Sequence, residues 1–73
     1  MSTLTFTLSK DKEFIPLDKL LKLMNVVGSG GEAHMIIQEG MVTVNGVKET
    51  QKRKKMRVGD KAEFDGQVIE VVA

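Results

Sequence analysis

Cysteine, tyrosine and tryptophan are all missing from this chain, and histidine and proline occur once each. Without cysteine no disulfide can staple the fold and no thiolate can hold zinc. Three phenylalanines are the only aromatics. Two of them, Phe6 and Phe64, lie in alternating apolar patterns that read as core, which argues against an aromatic platform for stacked single-stranded bases. His34 and the scattered carboxylates form no recognisable metal-ligand cluster, so neither a metal nor any other cofactor is expected. The serines Ser2, Ser9 and Ser29 lie outside any nucleophile-elbow context. The run VGSGGE lacks the spacing and the Lys-Ser/Thr ending of a phosphate-binding loop. Neither an enzyme nor a small-molecule substrate is expected. No apolar run approaches the ~20 residues of a membrane span, and MSTLTFTLSK lacks a signal peptide's apolar core. A cytoplasmic protein with no membrane partner is the expectation.

What the chain does contain suits one small globular domain, residues 1–73. Hydrophobic residues make up 41% and charged residues 29%, too apolar a mixture for a disordered chain. A chain of this length buries only roughly 60% of its unfolded surface. Its charge is unevenly placed. Residues 48–57, KETQKRKKMR, hold six basic residues against the single acid Glu49, a local charge of +5. The rest of the chain has five basic and nine acidic residues, or −4. Concentrating like charge is unfavourable for a compact state, so the segment points to a polyanionic partner.

Leu4, Phe6 and Leu8 alternate with threonines, predicting a strand over residues 3–8. Pro16 suits a helix start, and Leu17, Leu20, Leu21 and Met24 form an apolar stripe at i, i+3, i+4, i+7. These predict a helix from Pro16 to about Asn25, with Asp18 favourably placed near its positive end. Ser29 and Glu32 have capping-box spacing, Ala33, Ile36 and Ile37 give a second buried face, and Gly40 suits the stop. Asn45-Gly46 between valines, and Asp65-Gly66 further on, are type I′ hairpin signals. Gln67 to Val72 reads as the closing strand. The order predicts an α+β fold: two short helices packed on a small antiparallel or mixed sheet of about four to five strands.

Three features carry functional alternatives. The basic segment is either a solvated face or a binding patch. Its local imbalance, and its position between two hairpins, favour the patch. Gly30 and Gly31 are poor helix formers in a first turn. Either they pack closely against a neighbour, or their bare N–H groups let a phosphate approach. His34 and Gln38 share a helix face with Gly30 at i+4 spacing. That face is a plain exposed surface or a polar strip that meets phosphates and 2′-hydroxyls. With few aromatics, recognition would rest on phosphates and shape, which suits structured RNA.

From Leu17 onward the chain resembles the small RNA-binding domain named after ribosomal small-subunit protein S-four, the αL motif. The carrying residues are LDKLL at Leu17 to Leu21, SGGEAHMII at Ser29 to Ile37, EGMVTVNG at Glu39 to Gly46 and VGD at Val58 to Asp60. The SGGEA variant looks most like the YbcJ-type branch of that superfamily. The resemblance covers about three-quarters of the chain and implies two helices against a small sheet. It also implies an RNA surface made by the second helix and the loop after the hairpin. On this sequence that surface comprises Ser29, Gly30, Gly31, His34, Asn45, Lys48, Lys52, Arg53, Lys54 and Lys55, with Arg57 close by. Gln38 joins them from the reading of the helix face. Two positions depart from the pattern: Pro16 and Gly30 stand where many family members have arginine. The expected partner is ribosomal or transfer RNA, bound by a monomer. The rival reading is a protein-interaction module whose basic loop meets an acidic partner. A ubiquitin-like carrier is disfavoured, because the chain ends Val71-Val72-Ala73 and not in Gly-Gly.

Overall fold

The first and last strands lie side by side. In the computed structural model, which describes residues 2–73, β1 (Ser2–Thr7) runs parallel to β7 (Gln67–Val72), with Leu4 opposite Ile69 and Phe6 opposite Val71. β7 continues antiparallel to β6 (Lys61–Phe64), which pairs with β3 (Val42–Val44), and β3 pairs with the edge strand β4 (Val47–Glu49). This five-stranded sheet is mixed, with one parallel pair. The two residues of β2 (Ile15–Pro16) form a separate antiparallel bridge with β5 (Lys55–Met56). Met1, the start of the expected 1–73 domain, lies outside the described residues.

Helix α1 (Leu17–Leu23) is shorter than the stripe predicted. Pro16 is not its first turn but its extended N-cap, held flat by pairing with Lys55. At the other end Asn25 takes positive φ, 58°. Its N–H donates to Lys22 O, and that of Val26 to Leu21 O, closing the helix in a Schellman motif. Helix α2 (Gly30–Gln38) starts on the expected cap: the N–H of Glu32 donates to Ser29 Oγ at 3.2 Å. The Glu32 carboxylate reaches back one residue further than the usual box, accepting from the N–H of Gly28 at 3.1 Å. Gly40, at φ 74°, ends α2 in a second Schellman motif, its N–H on Ile37 O and that of Met41 on Ile36 O.

Both helices lay their apolar faces on one side of the sheet. Leu17, Leu20 and Leu21 of α1 and Ala33, Ile36 and Ile37 of α2 are buried with Val42, Val44, Ala62, Ile69 and Val71 of the strands. Fully burying each large aliphatic side chain stabilises by roughly 1.5–3 kcal/mol. Met56, next to last in the basic segment, has no exposed surface. One apolar residue thus roots the most charged stretch of the chain in the core.

Candidate nucleic-acid interface

Lys52 to Met56 are fastened to the start of α1. A helix begins with backbone N–H groups that lack intrahelical partners, and Pro16 supplies no side-chain cap. The loop supplies the acceptors. The N–H of Leu17 donates to Lys54 O at 2.9 Å, and that of Asp18 to Lys52 O at 3.0 Å. The β2–β5 bridge continues the attachment through Lys55 and Met56. Lys55 Nζ lies 5.1 Å from the centroid of the Phe14 ring, a cation–π contact that holds this lysine beside the bridge. Arg53 and Lys55 remain exposed, while Lys52 and Lys54 are half-buried. The charge run is therefore a positioned surface and not a free solvated loop.

Helix α2 reaches the same surface through one residue. His34 Nε2 donates to Asp18 Oδ2 at 2.8 Å, and the Nε of Arg53 lies 4.0 Å from that same oxygen. Asp18 is thus the meeting point of α1, α2 and the basic loop. Its side chain is only 14% exposed, against 38% for His34 and 82% for Arg53. Asp18 Oδ1 also accepts from the N–H of Lys19 at 2.8 Å.

The remaining sequence-predicted residues divide by what already occupies them. Ser29 Oγ is engaged in capping α2. Gly30 and Gly31 open that helix, and close packing does not explain them. A Cβ at Gly30 would meet nothing within 4 Å, and one at Gly31 only Ser29 Oγ at 3.9 Å. Gln38 is exposed at the far end of α2 and makes no side-chain hydrogen bond among the described residues. Lys48 lies on β4, where its stem crosses Gly40, so close that a Cβ there would sit 2.8 Å from Lys48 Cδ. Asn45 is used at both ends of its amide: Nδ2 donates to Asp60 Oδ1 at 3.0 Å, and Oδ1 accepts from the N–H of Lys61 at 3.0 Å.

Asp60 completes that second knot. Its Oδ2 accepts from the N–H of Arg57 at 2.8 Å. Desolvation raises its carboxyl pKa, but the Arg57 N–H, the Asn45 amide and the charges of Lys54 and Arg57 outweigh this and hold it below 3.8. Two acids outside the basic segment, Asp18 and Asp60, therefore stand beside its charges. Asp18, Phe14 and Asp60 were not candidates from the sequence. The partners that matter here, His34 and Arg53 for Asp18, Lys55 for Phe14 and Asn45 for Asp60, lie far along the chain, and no local spacing signals them.

A family model described as the S4 domain matches residues 6–72, nearly the whole chain. The chain belongs to the S4 domain family. It is 42% identical over 69 residues to YbcJ of Escherichia coli (strain K12), covering 94% of this chain and 97% of that protein. It is 39% identical over 59 residues to RlbA of Bacillus subtilis (strain 168), named as a probable ribosome maturation protein, covering 81% and 83% of the two chains. The solution structure of E. coli YbcJ, described as revealing an αL motif involved in RNA binding, superposes with a TM-score of 0.75 at 40% identity. It is covered over 91% of its length, and this S4 chain over all of its own. Two helices on a small mixed sheet, read from periodicity, are the αL architecture.

Proposed function

We propose that this S4 domain binds structured RNA, of the ribosomal or transfer type, as a cytoplasmic monomer without catalysis. The observation that carries the reading is the fastening of the basic loop to α1, which sets Arg53 beside the Asp18 carboxylate that His34 of α2 also contacts. A polyanion that meets these charges finds the loop backbone already held, so little loop entropy is lost on binding. Arg53 and Arg57 suit bidentate phosphate contacts, and the lysines act as point charges. Gly30 and Gly31 offer backbone N–H groups, with Lys48 and Gln38 at the margin. Ser29 serves the surface by capping α2, while Asn45 is engaged in the turn with Asp60 and Lys61. Two relatives support the reading: YbcJ, whose αL motif is described as involved in RNA binding, and RlbA, named for ribosome maturation.

Crosslinking in growing cells, followed by sequencing of the attached RNA, tests the proposal. Enrichment of a defined ribosomal or transfer-RNA segment is expected. In vitro, neutralising four to six phosphates gives log K against log salt a slope of about −3 to −5. The variant K52A/R53A/K54A/K55A leaves Met56 and the backbone hydrogen bonds in place. It is expected to stay folded and to bind RNA roughly 100-fold more weakly or worse. A flat salt response, or normal binding by that variant, would overturn the reading. Retention of an acidic protein instead of RNA would favour the protein-partner alternative.

A further inference from the structure

A carboxylate in the middle of a polyanion-binding surface repels the ligand, and charge counting alone predicts that the domain binds better without it. Asp18 is such a carboxylate, yet it is the most enclosed charged side chain of the His34–Asp18–Arg53 cluster. It accepts from His34 and lies 4.0 Å from the Nε of Arg53. We infer that Asp18 is the positioning residue of the RNA surface, an acid whose removal weakens RNA binding although it makes the surface more positive. This rests on the RNA-binding reading above and adds to it which side chains must be aimed, and by what.

The chemistry at each partner is specific. A carboxylate can only accept, so His34 Nε2 must carry the hydrogen of the 2.8 Å contact. That fixes the ring and leaves Nδ1 without a hydrogen-bond partner among the described residues: an acceptor for a 2′-hydroxyl when the ring is neutral, a donor to phosphate when it is charged. Attraction at the Nε edge of Arg53 leaves its two terminal nitrogens free for a bidentate phosphate contact. Arg53 is 82% exposed and would otherwise sample many rotamers. Asp18 itself is held by the backbone, its N–H on Lys52 O, so its placement does not depend on the ligand.

The test titrates wild type and D18A with bulk transfer RNA across a salt series, with thermal melts to follow the fold. D18A is expected to bind about tenfold more weakly, as for loss of one charge-assisted contact, with a salt slope shallower by about one. In an H34A/R53A background, Asp18 has nothing left to aim and only repels, so adding D18A should strengthen binding. A merely structural role would weaken it in both backgrounds. The His34 Nε2–H proton should resonate at the low field of a carboxylate-bonded N–H in wild type and lose that shift in D18A. If D18A unfolds, D18N replaces it. Asn retains an acceptor for His34 but no charge for Arg53, so the shallower slope is expected to persist. A folded D18A or D18N that binds as tightly as wild type, or tighter, overturns the inference alone. Wild-type protein that binds neither bulk transfer RNA nor ribosomal RNA in the same assay overturns the RNA-binding reading, and the inference with it.

Discussion

Two turns of this S4 domain carry most of its polar motif residues, and they use them in opposite ways. In the turn pair joining Asn45 to Asp60, side chains bond to each other and to backbone: the Asn45 amide to Asp60 and Lys61, the Asp60 carboxylate to Asn45 and Arg57. In the loop from Lys52 to Met56, the backbone makes the attachments to α1, and the charged ends are left outside. One turn is knit by side chains, the other is hung from its backbone so that its side chains stay available. A polar residue whose hydrogen bonds are already taken within the fold has little left to offer a ligand.

The comparison breaks most severely at Met56. It has no exposed surface and anchors the loop whose other members face solvent. Met56→Ala is expected to destabilise the domain by about 2–5 kcal/mol, the range for emptying a buried methionine site. RNA affinity should fall as well, because the β2–β5 bridge loses its apolar root although every charge remains. Denaturant unfolding and an RNA titration on the same sample check both. Unchanged affinity in the folded fraction would mean that the charges bind RNA without being held.

The other turn should respond in stability alone. Asp60→Ala removes two hydrogen bonds at a partly exposed site and is expected to cost about 1–2 kcal/mol. RNA affinity should not fall, since the acid stands beside Lys54 and Arg57 and opposes the ligand's charge. The pH profile gives an independent measure. Asp60 titrates below 3.8 in the folded state, so its ionised form favours folding. That contribution is present above about pH 4 and is lost as pH falls through and below 3.8. The gap in Tm between wild type and D60A should be widest near neutrality and close in acid. A gap that persists below the titration would assign the effect to packing and not to the carboxylate.

Much of this was legible locally. Asn45-Gly46 and Asp65-Gly66 take the positive φ values that their hairpins require. Ser29 caps α2, and Gly40 ends it. The leucine stripe of α1 faces the core as its spacing implied. Periodicity and turn chemistry are properties of neighbouring residues, and these features need nothing else. What was not legible depends on residues far apart. The parallel pairing of β1 with β7 joins the two ends of the chain, and the two-residue β2–β5 bridge is too short to show a period. Pro16 looked like a helix start because its φ suits either side of the boundary, and only its pairing with Lys55 decides that it lies outside. Asp18 looked like a dipole partner because nothing near it in sequence reveals His34 or Arg53. Asn45 was a candidate contact, and only the position of Asp60 shows that its amide is occupied.

Gly30 has the smallest expected effect and tests the comparison at α2, the third support of the surface. A glycine in a helical turn weakens it, by up to about 1 kcal/mol relative to alanine in a helix interior and less near an end. No backbone or packing reason offsets this: its φ is not positive, and an added Cβ enters open space. Gly30→Ala is therefore expected to raise stability by about 0.3–1 kcal/mol, a shift of a few degrees in Tm for a domain of this size. The RNA titration then separates the two ways a polar surface can be kept available. If phosphates are met only by side chains, affinity stays the same, because alanine removes no hydrogen bond. If the bare first turn of α2 admits phosphate to the backbone N–H groups, the added methyl lowers affinity several-fold in a more stable protein. In that case the surface resembles the Lys52–Met56 loop on one side and its inverse on the other. The loop holds its backbone and offers side chains, while the helix end removes its side chain and offers the backbone.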